Sequence, residues 1–199
     1  MTLLVLILAC APPNVAPQTL AAIIHVESGG DPLALHVNDG RRHAMLHPLD
    51  VAAAVAMARQ AMGQGHSVDI GLMQVNSANV ARFGVTIEQM FAPCLNIRAG
   101  ARILAADYGG ALQVAPSGQA ALKAALSAYN TGDFRRGFAN GYVARFYGAH
   151  SGAGAAPANP YTADTEVFHR SDAHDGTQGG DIAALKTEGP HTDEQPASP

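Results

Sequence analysis

The chain has 199 residues, 48% hydrophobic and 14% charged, which is enough apolar material for one sizeable core with length to spare. Its formal net charge is −4, and Lys and Arg are scattered except at Arg41-Arg42 and Arg135-Arg136, so no phosphate-neutralising stripe forms and nucleic acid is not an expected partner. Two cysteines, Cys10 and Cys94, exclude a disulfide-rich scaffold and a multi-cysteine zinc site. In an oxidising compartment they are available to each other; two buried free thiols are the alternative.

In chain order, Leu3 to Ala9 comes first as an apolar run. It lacks the positively charged lead of a signal peptide and is far too short to span a bilayer, so a first helix packed on the core is the preferred reading. Export is then not established by this segment. Cys10 after Ile7-Leu8-Ala9 faintly matches a lipid-attachment site, with Leu8 where a small residue is usual. Thr19 is expected to cap a helix carrying Leu20, Ile23, Ile24 and Glu27 on one face, ended by Gly29-Gly30 and Pro32. Asp50 is expected to cap a helix through Val51, Val55, Ala58 and Met62 that stops at Gly63. Gly71 to Asn76 reads equally as a short strand or as the start of a helix. Thr86 and Gln89 form a capping box. Ile97, Ala101, Leu104 and Tyr108 mark another stripe before Gly109-Gly110, and Leu122, Leu126 and Tyr129 a further one. The β-branched runs that a sheet needs are missing, so the expected fold class is all-α. From Ser151 to Pro199 large aliphatics become few, and burial there does not offset the entropy of ordering. The expected organisation is one domain over residues 1–150 and a disordered tail over 151–199.

Helical spacing sets Glu27 on the apolar stripe. An ionised carboxylate is costly in such a place, so its pKa should rise and its proton should stay on near neutral pH, as a general acid requires. Taken alone, such a residue is more often a partly exposed glutamate at a helix end. Its company changes that. Glu27-Ser28-Gly29-Gly30, Gly71-Leu72-Met73-Gln74-Val75-Asn76 and Ala128-Tyr129-Asn130 follow one another in the order and rough spacing of the three motifs of the lytic transglycosylase family, which resembles goose-type lysozyme. The resemblance covers about residues 10 to 148. The chain is most similar to the small transglycosylase subunit of bacterial type IV secretion systems, in Cys10-Ala11-Pro12, His66-Ser67-Val68-Asp69, the stretch from Pro93-Cys94 to Leu104, and Asn140-Gly141-Tyr142-Val143.

The resemblance implies a lysozyme-like globular domain with a two-lobed cleft, acting without a cofactor on the glycan strands of peptidoglycan in the periplasm. The implied task is local opening of the wall for type IV secretion or conjugation, with components of that system as partners. Ordinary glycosidases need two carboxyl groups, yet the three motifs contain one acid. The family's alternative is that the substrate's own N-acetyl group assists departure of the leaving sugar. Glu27 then turns base and takes the proton of the muramyl C6 hydroxyl, so the MurNAc-GlcNAc β-1,4 bond is cut with a 1,6-anhydro ring as product. By the same resemblance Gln74 binds N-acetyl groups, and the Tyr129 hydroxyl steadies the catalytic carboxyl or the developing charge. Asn130 caps its helix end or touches sugar; Asn76 and Met73 line the cleft, with core packing the preferred role for Met73; Ser28 holds local backbone or contacts substrate.

One departure from the wider family matters. Ser67 is displaced from the position where many relatives place a serine, and Asp69 occupies part of that turn. Asp69 is the second carboxylate to consider were the enzyme a hydrolase, and otherwise a turn or capping residue. His43 and His47 have zincin spacing, but Ala44 follows the first where a glutamate should stand, so no metal is expected. His169, His174 and His191 fall in the tail and are read as solvated. The rival readings are a hydrolytic lysozyme and a catalytically silent glycan-binding scaffold.

Overall fold

The computed structural model describes residues 2–40, 45–115 and 118–147. The expected tail over 151–199 with its three histidines, the Arg41-Arg42 pair and His43 lie outside the described residues.

The described residues are mostly helical, and the core is a set of helix faces. Helix α1 (Leu3–Cys10) packs on α2 (Pro17–Ser28) and on α6 (Pro93–Ala111), which in turn packs along α7 (Gly118–Thr131). Leu20, Ile23 and Ile24 of α2, Ile97 and Leu104 of α6, and Leu122 and Leu126 of α7 are fully buried, as their helical spacing requires. In α1, Ile7 and Cys10 are buried while Leu4, Val5 and Leu8 stay exposed, so only one face of the apolar run packs. No helix among the described residues is long and apolar enough to cross a membrane. Cys10 and Cys94 are bonded, with Cα atoms 5.0 Å apart, and this ties α1 to the first turn of α6. A loop that long, closed in the unfolded chain, stabilises by about 4 kcal/mol on the chain-entropy account. The bonded thiol of Cys10 leaves no room for lipid attachment.

The described residues are mostly helical as expected of an all-α fold, but a small sheet is added to the helices. A three-stranded antiparallel sheet runs in the order β1 (Leu35–Asn38), β2 (Ser67–Ile70), β3 (Val75–Asn76). Leu35 pairs with Ile70, Val37 with Val68, and Asp69 with Asn76. Val68 and Ile70 point into the core, while Ser67 and Asp69 alternate to the other face. The segment from Gly71 to Asn76 is thereby settled: a turn through Gln74, then strand β3.

Two boundaries also move. Thr19 is not the cap of α2. Pro17 occupies the first turn with Ala16 as N-cap, since proline's missing N–H costs nothing there, and Thr19 is buried inside the helix. Helix α6 runs through Gly109-Gly110 to Ala111. A Cβ on Gly110 would lie 2.9 Å from the Phe134 ring, so that glycine serves close packing rather than helix termination. The remaining caps are as expected. Asp50 accepts the Ala53 N–H at the start of α3 (Val51–Gly63), and Thr86 and Gln89 close a reciprocal box on α5 (Ile87–Met90). Short helices α4 (Ser77–Arg82), α8 (Arg136–Ala139) and α9 (Ala144–Tyr147) complete the described fold.

Candidate active site

A cleft of about 780 Å³ opens between the sheet and the helices that carry the core. Glu27, Gln74, Asn76, Tyr129 and Asn130 line it, joined by His36, Asn38, Asp69 and Arg145.

Glu27 sits in the last turn of α2, one residue before Ser28, where left-handed Gly29 (φ 64°) ends the helix. It is half-buried. Burial raises its pKa from 4.5 to about 7; the hydrogen bond from Tyr142 and the charge of Arg145 pull it down, and the charge of Asp69 pushes it up. The Tyr142 O–H donates to Glu27 Oε1 in a short hydrogen bond. Burial first, and then the neighbouring Glu27 charge, push the Tyr142 phenol far above its ordinary range, so it remains a donor. Its ring packs edge-on against Phe146 at 5.2 Å. Arg145 Nη2 donates to the Val26 carbonyl at 2.7 Å, which anchors the guanidinium beside the turn that carries Glu27.

The floor of the cleft is the turn between β2 and β3. Asn96, almost wholly buried on α6, holds it: its Oδ1 accepts the Met73 N–H at 2.7 Å, and its Nδ2 donates to Ile70 and Met90 carbonyls at 2.8 and 3.0 Å. Gly71 is in a left-handed conformation (φ 71°), and a Cβ there would stand 2.8 Å from Asn96 Nδ2. Ser28 Oγ donates to the Leu72 carbonyl at 2.8 Å and accepts the Gly30 N–H, so its hydroxyl fastens the end of α2 to the floor. Tyr129, expected to steady the catalytic carboxyl, instead donates its O–H to the Met73 carbonyl at 2.7 Å. Burial, then the charge of Glu27, raise its phenol as well, so it also stays protonated. Met73 takes the preferred of its two expected roles, core packing, and its expected place in the cleft lining is corrected. Its side chain is fully buried against Gly100 and does not line the cleft.

Gln74 adopts positive φ (47°), and its Nε2 donates to the Gly71 and Ala34 carbonyls at 2.9 and 3.2 Å. Its donor end thus serves the backbone, and Oε1 is the acceptor it offers to the cleft. Asn76 Nδ2 donates to Asp69 Oδ1 at 2.7 Å, while its Oδ1 caps α4 through the Ala78 N–H. Asn38 Nδ2 donates to Asp69 Oδ2 at 2.9 Å. Asn130 Oδ1 accepts from Asn140 Nδ2 at 3.0 Å. His47, half of the rejected zincin pair, lies with Nδ1 2.6 Å from Asp31 Oδ2.

The structure thus brings Glu27, Ser28, Gln74, Asn76, Tyr129 and Asn130 to one cleft, while the sequence did not point to Tyr142 as the partner of Glu27 and did not single out Arg145, His36 or Asn38. Tyr142 lies 115 positions from Glu27. The only signal was its presence in Asn140-Gly141-Tyr142-Val143, a stretch that carries similarity without by itself indicating chemistry.

Comparison with known proteins identifies the family. The family model of the transglycosylase SLT domain matches residues 7–150. The protein virB1 of Agrobacterium fabrum is 46% identical over 134 residues, covering 67% of this chain and 53% of that protein. The type IV secretion system protein virB1 of Brucella abortus biovar 1 is 41% identical over 136 residues, covering 68% of this chain and 56% of that protein. The chain spans about half the length of the curated relatives it matches. No solved structure matches it.

Proposed function

Since the chain belongs to the transglycosylase SLT domain family, we propose that it is a lytic transglycosylase that cuts the MurNAc-GlcNAc β-1,4 bond of peptidoglycan and leaves 1,6-anhydro-MurNAc. The observation that carries this reading is Glu27: a half-buried carboxyl in the cleft, its pKa raised to about 7, oriented by the Tyr142 phenol.

Protonated Glu27 gives its proton to the bridging oxygen as the C1–O bond breaks and the electron pair leaves with the departing sugar. The carbonyl oxygen of the muramyl N-acetyl group closes on C1 and carries the positive charge in a bicyclic oxazolinium ion. Glu27, now a carboxylate, takes the proton of the C6 hydroxyl, and O6 displaces the acetamido oxygen from C1. One C–O bond is lost, one is gained, and no water enters. A carboxyl whose pKa lies close to the working pH suits both halves of this cycle. Gln74 Oε1 is placed to accept an N-acetyl N–H, and Asn76 and Asn130 supply further polar contacts along the sugar strand. Ser28, Tyr129 and Asn96 act through the backbone, keeping the floor in register with α2, α7 and α6.

The Brucella abortus relative is named a type IV secretion system protein, and this supports a role in the periplasm, where local wall opening admits a secretion or conjugation assembly. Mass spectrometry of muropeptides released by the purified chain tests the reaction. Products lighter by one water than hydrolysed ends are expected, and products with only free reducing ends would overturn it. kcat/KM is further expected to fall as pH rises through about 7, because the free enzyme must carry the Glu27 proton.

A further inference from the structure

Opposite Glu27, on the sheet side of the cleft, stands a carboxylate that the reaction above does not use. Asp69 is on β2 with its side chain on the cleft-facing side of the strand. Each of its oxygens already accepts one amide hydrogen: Oδ1 from Asn76 at 2.7 Å and Oδ2 from Asn38 at 2.9 Å, with His36 Nδ1 at 3.7 Å from Oδ2. The head is therefore fixed in orientation by groups from both neighbouring strands, and each oxygen keeps a lone pair for another donor. Its charge is felt at Glu27 and at Tyr129, so all three groups share one electrostatic space.

The geometry points to Asp69 as a second catalytic residue: it accepts the N–H of the muramyl acetamido group and offsets the positive charge that grows on C1 and the oxazolinium ring. This rests on the transglycosylase reading and deepens it. An acetamido carbonyl attacks C1 more readily when its N–H is hydrogen-bonded to an anion, because the nitrogen then releases electron density as the ring closes. The bond that forms is carbonyl oxygen to C1, the bond that breaks is C1 to the leaving oxygen, and Asp69 keeps its electrons and takes no proton. A fixed anion is worth most where charge appears only in the transition state, since it needs no reorganisation at that moment. The two carboxyls thus divide the work by surroundings, one in a dry helical turn that supplies the proton, the other among amides that supplies the charge.

Asp69→Asn keeps the shape and removes the charge. Three readouts are taken on the full chain: kcat on purified peptidoglycan, the pH profile, and calorimetric affinity for two probes. The probes are a thiazoline analogue of the bicyclic intermediate and an unreactive chitotriose. The expected result is a fall in kcat of about a hundredfold or more, a large loss of thiazoline affinity, and chitotriose affinity unchanged within about twofold. The alkaline limb of the profile should move down, because the charge of Asp69 raises Glu27, while Arg145 and Tyr142 on the α9 side still lower it. Asp69→Glu should recover part of the thiazoline affinity.

If Asp69 only joins strands, Asp69→Asn lowers the melting temperature while kcat and thiazoline affinity of the folded enzyme stay at parental values, and the inference fails. Equal losses for both probes overturn it as well. If Asp69→Asn retains parental kcat while Glu27→Gln is silent, the second carboxylate falls and the transglycosylase reading stands. Hydrolysed ends from the parent enzyme would remove both.

Discussion

The two walls of the cleft are built from opposite materials. On the helical side, Glu27 lies in the last turn of α2 beside buried Tyr142 and partly buried Tyr129, and burial raises both phenols. On the sheet side, Asp69, Asn38 and Asn76 form a mesh of side-chain hydrogen bonds around a carboxylate. The same functional group therefore meets desolvation on one wall and amide donors on the other. Desolvation holds a proton; donors hold a shape. The contrast teaches that the sequence position of an acid matters less than the surface on which the fold sets it.

The largest effect should come from removing the dry wall's proton. Glu27→Gln keeps an acceptor for the Tyr142 hydroxyl, so the turn persists while the acid is lost. Turnover on peptidoglycan should fall by about a thousandfold or more. Wall clearing by the variant at a rate near the parent's would show that this wall does no acid chemistry.

Next in size is the joint between the walls. Asn96 satisfies one N–H and two carbonyls of buried backbone, on the floor turn and on α5. Asn96→Ala leaves all three without those bonds, at about 1–3 kcal/mol each before relaxation. A loss of about 4 kcal/mol in urea unfolding is expected; a loss below about 1 kcal/mol would mean that the walls are joined elsewhere.

A smaller change with a definite sign follows from the Glu27 pKa. The folded value of about 7 lies above the unfolded reference of 4.5, so the folded state holds its proton more tightly. This contribution is fully present below about pH 4.5 and is lost as pH rises through about 7. The size is about 3 kcal/mol as an upper figure. Glu27→Gln should therefore gain stability over the parent at pH 8 and not at pH 4. The difference between the two proteins isolates Glu27 from Asp107, whose burial also raises it, to about 6. Parallel pH curves for parent and variant would contradict the desolvated setting.

What could be read in advance divides along the same line as the walls. Glu27 and the caps at Asp50 and Thr86 were legible because helix period and capping chemistry are local, each confined to a turn or two. The sheet was not, because β3 is two residues long and β1 and β2 four each. Their pairing joins Leu35 to Ile70 across the whole of α3. Alternation over so few positions does not rise above its surroundings. Tyr142 escaped for a related reason, since only tertiary packing brings the turn before α9 beneath the end of α2. That the stripe on α6 continues past Gly109 is likewise not visible locally, because the role of Gly110, room for Phe134, is also a distant contact.

The finest test separates orientation from acidity on the helical wall. Tyr142→Phe keeps the ring and its edge contact with Phe146 but removes the hydroxyl that reaches Glu27 Oε1. That hydrogen bond lowers the Glu27 pKa against the larger push of burial. Its loss should move the alkaline limb of kcat/KM upward, above about 7, because the proton is then held more tightly. The carboxyl also gains freedom to rotate away from the glycosidic oxygen, and kcat should drop about tenfold, as expected for an imperfectly oriented acid. The two shifts have opposite consequences at high pH, where the variant keeps more of its acid form than the parent but uses it less well. A drop in kcat with the limb unmoved would make Tyr142 a spacer between α2 and α9, and would leave Arg145, through its bond to the Val26 carbonyl, as the group that positions the acid.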